Sequence, residues 1–137
     1  MKILVLTSES ISGRQLRDAL TGVVDPQEAE VAVVAPALNE GPLKFWLSDA
    51  DEAIDKAEKV SQTTVEQLGD AGVAASGDTG ESDPVKAIED ALATFAAERI
   101  VLFVHPDSEQ RYLEDVDTEE LEQRFGVPVV QAVIAGS

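Results

Sequence analysis

No cysteine occurs in this chain, aromatic residues make up only 4% of it, and a single histidine stands among its 137 residues. The first absence removes disulfides and thiolate metal centres. The second leaves Val, Ile, Leu and Ala to fill the core. Basic side chains are scarce: 10 Lys and Arg face 27 acids, for a formal net charge of −17. Such a surface repels nucleic acid and anionic membranes, because both are bound through Lys and Arg contacts to phosphate. Neither partner is expected. Long apolar runs are missing too. The first, Ile3 to Leu6, is far too short for a membrane span or the apolar stretch of a leader. A cytoplasmic location is the expectation. The acids are spread over all the helical segments, so the charge reads as a solvated surface rather than a site for a basic partner or a cation store.

What is present alternates between strand and helix patterns. "KILVL" (2–6) is a continuous apolar run, as a strand covered on both faces requires. Ser12 and Gln15 have capping-box spacing ahead of a stripe formed by Leu16, Ala19, Leu20 and Val23. "DPQ" (25–27) turns the chain into a second strand at 30–37. Phe45 and Trp46 lie in the connection that follows. Ser48 is placed to cap a long helix over about 49–68, with Ile54, Ala57, Ser61, Thr64, Val65 and Leu68 facing inward and Gly69 and Gly72 ending it. A weaker third strand is expected at 73–77, and "GDTGES" (77–82) reads as a connection. Asp83 and Pro84 form an N-cap and first-position pair before Val85, Ile88, Leu92 and Phe95. "RIVLFV" (99–104) is the fourth strand, a helix with Leu113, Leu121 and Phe125 inward covers about 110–124, and "VPVVQAVI" (127–134) is the fifth strand.

Five strands interleaved with four helices predict one α/β domain over 1–137, a parallel sheet sandwiched between two helical layers in the Rossmann-like manner. Ligands in such folds sit beyond the carboxyl ends of the strands, where strand order reverses. Thr7, Ser8, Ala35, Pro36, His105 and Asp107 therefore fall near any site.

The chain resembles the universal stress protein family along essentially its whole length. "KILVLTSESISGRQLRDAL" is similar to that family's first strand and helix, "GVAASGDTGESDPVKAIEDAL" and "RIVLFVH" follow in the family's order, and "LEDVDTEELEQRFGVPVVQAV" resembles its closing helix and strand. The resemblance implies a strand order of 3-2-1-4-5 and kinship with the adenine nucleotide alpha hydrolase-like folds. In that order the strand at 127–134 is an edge, and such edges invite pairing with a second copy, so a homodimer through it is expected. ATP-binding members carry an aspartate after strand one, and after strand four a glycine-spaced loop closing on Gly followed by Ser or Thr. Bare backbone N–H groups must approach phosphate there, and the hydroxyl caps the helix. In this chain the aspartate position is Ser8, the glycine positions are Val104 and Asp107, and the closing pair is Glu114 and Asp115. The resemblance thus implies a branch without the nucleotide loop.

Other motifs fall short of a signature. "HPDSE" (105–109) resembles the His-Pro-Asp-Asp-Glu run of zinc-dependent sugar deacetylases, but Ser108 takes a ligand position and no second His exists for a three-ligand zinc. The acids from Glu114 to Glu122 lack the spacing of an EF-hand loop and suit the start of a helix. "GDTGES" lacks the lysine of a phosphate loop. The expectation is a non-enzymatic binding and dimerising module of a stress response, with no catalytic residue, metal or cofactor. Its ligand contacts, if it has any, would come from Thr7, Ser8, Ser10, His105, Asp107, Ser108 and Arg111. The alternatives are a nucleotide-dependent switch with an altered site using Ser8, Ser10, His105, Ser108 and Arg111, and a hydrolase using His105 and Asp107.

Overall fold

The computed structural model describes residues 1–22, 25–36, 50–80, 83–104 and 117–133. Its centre is built from the two most apolar runs in the chain. Strands β1 (Lys2–Thr7) and β4 (Arg99–Val104) lie side by side in parallel, with Val5 opposite Val101 and Thr7 opposite Phe103. Ile3 through Thr7 and Ile100 through Val104 are buried. Burying one such aliphatic side chain contributes about 1.5–3 kcal/mol, so these runs outweigh any single cap or surface pair. On one side β2 (Glu30–Pro36) pairs with β1, and β3 (Ala74–Gly80) pairs with β2. On the other, β5 (Val129–Val133) pairs with β4. All pairings are parallel, and the order β3-β2-β1-β4-β5 is the one the resemblance implies.

Alternation along the strands divides the core in two. Ile3, Val5, Val101 and Phe103 face α1 (Gly13–Ala19) and α2 (Ala50–Asp70), meeting Leu16, Leu20 and Leu68. Leu4, Leu6, Ile100 and Leu102 face α3 (Pro84–Thr94) and α4 (Thr118–Phe125), meeting Ala87, Ile88 and Leu121. This is the predicted doubly wound sandwich. Among the described residues, no helix is long and apolar enough to cross a membrane.

Local chemistry sets the helix ends. In α1 the Gln15 N–H donates to Ser12 Oγ at 3.2 Å, and the Ser12 N–H donates to Gln15 Oε1 at 2.8 Å, completing the predicted capping box. Asp83 caps α3 by accepting from the Val85 N–H at 2.9 Å. Helix α2 ends in a Schellman motif: Val73 N–H donates to the Leu68 carbonyl at 2.9 Å and Gly72 N–H to the Gly69 carbonyl at 3.0 Å. Gly72 takes a φ of 83°, where a Cβ would be strained. Gly69, expected to help end this helix, lies inside it. Of the predicted inner face, Ala57, Ser61, Thr64 and Leu68 are buried, but Ile54 is 41% exposed.

Three further expectations are corrected. The last helix starts at Thr118 rather than near 110, because Asp117 is its N-cap, extended in backbone and accepting from the N–H groups of Glu119 and Glu120. Phe95, read as helical, is the extended C-cap of α3. The larger correction is in β3. "GDTG" was expected to connect; it is the second half of the strand, with Gly77 opposite Val33 and Gly80 opposite Pro36. The glycines mark close approach. A Cβ on Gly77 would lie 2.9 Å from Val65 Cγ2 and 3.2 Å from the Ser61 carbonyl oxygen on α2; one on Gly80 would lie 2.6 Å from Val34 Cγ1. The expectations for Val23, Phe45, Trp46, Ser48 and Leu113 fall outside the described residues.

Candidate functional site

Strand order reverses between β1 and β4. The chain leaving β1 enters α1 on one face, while α4, which follows β4, packs on the other. The crevice this creates at the carboxyl ends of the strands is the expected ligand position of an open α/β sheet. Ala35 and Pro36 end β2 beside it, both buried.

Its β1 side is held tightly. Thr7 is fully buried, and its hydroxyl turns back on the following loop, donating to the Glu9 carbonyl and accepting from the Glu9 N–H at 3.3 Å. At the loop's far end the Ile11 N–H donates to Thr64 Oγ1 at 3.3 Å; Ile11 and Thr64 are both fully buried. Ser12 is committed to the capping box. The short loop is thereby fixed at both ends, with Ser8 half-buried and Ser10 exposed between them. Three of the predicted contact residues, Thr7, Ser8 and Ser10, are thus brought to one place, with the Thr7 hydroxyl bonded to the loop backbone. His105, Asp107, Ser108 and Arg111 lie outside the described residues. Thr64 escaped the sequence reading as a site residue. Its one signal was a hydroxyl on the apolar face of a long helix, which requires a hydrogen-bond partner inside.

Chemically, this half of the crevice offers hydroxyls and the Glu9 carboxylate rather than cations. Among the described residues, no group of three or more His, Asp or Glu side chains is placed to hold a metal ion. Two concavities lie elsewhere among the described residues. One of about 640 Å³ runs along β3 beside α3, and one of about 360 Å³ lies between α1 and β5, lined by Gln15, Asp18, Ala19 and Val130 to Val133.

A doubly wound, five-stranded parallel sheet with its crevice between β1 and β4 defines the class. No protein-family model matches this chain, and no curated protein matches it. Solved structures do. A universal stress protein from Archaeoglobus fulgidus superposes with a TM-score of 0.63 at 20% identity, over 96% of this chain and 97% of that one. A universal stress protein family protein from Arabidopsis thaliana, solved with AMP bound, superposes with a TM-score of 0.63 at 14% identity, over 97% of this chain and 91% of that one. The fold of this chain is that of the universal stress proteins, as the sequence resemblance implies.

Proposed function

We propose that this chain is a non-enzymatic universal stress protein-like module of the cytoplasm, dimerising through β5 and not binding ATP in the family's usual manner. The observation that carries the reading is the loop after β1. Ser8 stands there where the resemblance places an aspartate in ATP-binding members, and the Thr7 hydroxyl is hydrogen-bonded to the backbone of Glu9. The sequence of the β4 side adds Val104, Asp107, Glu114 and Asp115 where bare backbone and a hydroxyl are required. Like charges 4 Å apart cost about 4 kcal/mol at an effective dielectric of 20, so acids facing a triphosphate weaken binding by orders of magnitude.

Dimerisation rests on the exposed edge of β5. Val133 is 65% exposed at its end, and Val130 and Ala132 are only half-covered. An edge of this kind pairs readily with a second copy.

One observation favours a second reading, a nucleotide-dependent switch: the Arabidopsis neighbour of the same fold has AMP bound. Calorimetry with ATP, AMP and Mg²⁺ separates the two. A ligand at a hundred times its Kd also adds about 2.7 kcal/mol of stability, visible as a thermal shift. Absence of binding supports the first reading. Micromolar binding that vanishes in a Ser8→Ala, Ser108→Ala variant overturns it in favour of the switch.

A further inference from the structure

The outer edge of β3 has no part in that crevice. We propose that it is a docking site for an extended, basic segment of another protein, which adds to the sheet as one more strand. Among the described residues, β3 pairs with β2 alone and stands at the edge of the sheet, with no described strand on its other side. Proteins usually blunt such edges with Lys, Pro, a bulge or brevity. Strand β3 has none of these. It runs seven residues from Ala74 to Gly80 in unbroken register with β2, and its sequence AASGDTG contains neither Lys nor Pro. Its side chains are small, so a second backbone can come close. The groove of about 640 Å³ lies along this edge. Ile54 of α2 bounds one side, and Ala87, Ala91 and Phe95 supply apolar surface on the other. Its volume is within the range of built ligand clefts.

The charge of the groove selects the occupant. Among the described residues that line it, the ionisable ones are Asp78 and Asp90. A second copy would bring its own Asp78 and Asp90 to a groove that already holds these acids, and would supply no cation from its β3. A strand carrying Lys or Arg on one face meets both requirements, backbone pairing and charge. Asp78 has a second role in this arrangement. Its Oδ1 accepts from the Thr79 N–H at 2.8 Å. In the free protein the carboxylate covers that backbone donor. On docking, a carbonyl of the incoming strand takes the N–H, and the carboxylate turns to a cationic side chain.

The test uses a short, terminally blocked peptide of alternating lysine and valine, with amide chemical shifts of the full chain as the readout. Controls are a peptide of equal charge with proline in place of valine, and one of alternating glutamate and valine. Shifts concentrated at residues 75–79, with weak binding of the proline peptide and none of the glutamate peptide, are the expected result. Asp78→Asn keeps an acceptor for the Thr79 N–H but removes the charge, and should weaken the lysine peptide about two- to fivefold, as should Asp90→Asn. The proposal is overturned by shifts spread over the acidic helices or centred on β5, or by equal binding of the proline peptide. Indifference to Asp78→Asn would overturn it too. So would shifts of the β3 amides with protein concentration alone, which would make a second copy the occupant.

Discussion

The sheet ends in two edges made by different means. At β5 the side chains are large and partly uncovered: Val129 is buried beneath α4, while Val133 is 65% exposed at the strand's end. At β3 the side chains are small, and at 77 and 80 α2 and β2 approach until glycine is the residue that fits. One edge is shaped by what leaves it bare, the other by what crowds it. The lesson is that strand propensity describes the first and misleads about the second. A pleated, half-covered surface favours Val, whereas a surface pressed closely by helix and strand excludes it.

The strongest way to break this comparison is at Gly77. Propensity alone predicts that Gly77→Val strengthens a strand. Crowding by Val65 and the Ser61 carbonyl predicts a loss of about 1–3 kcal/mol, read as a lower denaturation midpoint. A midpoint equal to or above that of the parent protein would refute the crowding argument. A control with the opposite sign lies on the helix above it. Gly69 sits inside α2 with nothing within 4 Å of a Cβ. Gly69→Ala should therefore raise stability by about 0.5–1 kcal/mol, measured in the same titration.

At β5 the expectation is a change of assembly without a change of fold. Val133→Lys alters an exposed position, so unfolding stability should move by less than about 0.5 kcal/mol. Light scattering at high micromolar concentration should show the dimer of the parent and the monomer of the variant. A monomeric parent would remove the proposed β5 interface. Salt gives the smallest effect and sharpens the contrast. Screening shortens from about 8 Å near physiological ionic strength to about 3 Å at 1 M. The thermal midpoint of a chain of net charge −17 should rise with NaCl, because self-repulsion is relieved. The exposed Arg124–Glu89 pair, which holds the Arg124 guanidinium above its ordinary pKa through a hydrogen bond and mutual attraction, weakens at the same time but is a single contact. Lysine-peptide binding at β3 should fall as salt rises, while apolar contact at β5 should hold. Parallel salt responses at the two edges would show that the comparison is wrong.

Much of this architecture is local and was readable. The runs at 2–6 and 99–104 announce strands buried on both faces, since only such strands drop the polar alternation. Ser12 with Gln15, and Asp83 before Pro84, mark helix starts because a cap and its partner lie within one turn. One rule, that ligands meet the carboxyl ends of strands, picks out Thr7, Ser8, Ala35 and Pro36, and the structure sets these at or just past the ends of β1 and β2. What the Thr7 hydroxyl does there, and that Thr64 of a distant helix holds the loop's other end, were not legible.

What the sequence by itself determined is therefore the alternation of elements, the central strands, most helix caps and the surface charge, all of which depend on neighbours within a few residues. The tertiary structure alone decided that "GDTG" is strand rather than connection, where the groove lies, and which hydroxyls are spent on structure. The reason is physical. A glycine with φ below zero is equally at home in a turn or a strand, and the choice falls to backbone partners on β2 and to helix atoms near 3 Å, supplied by segments far away in the chain.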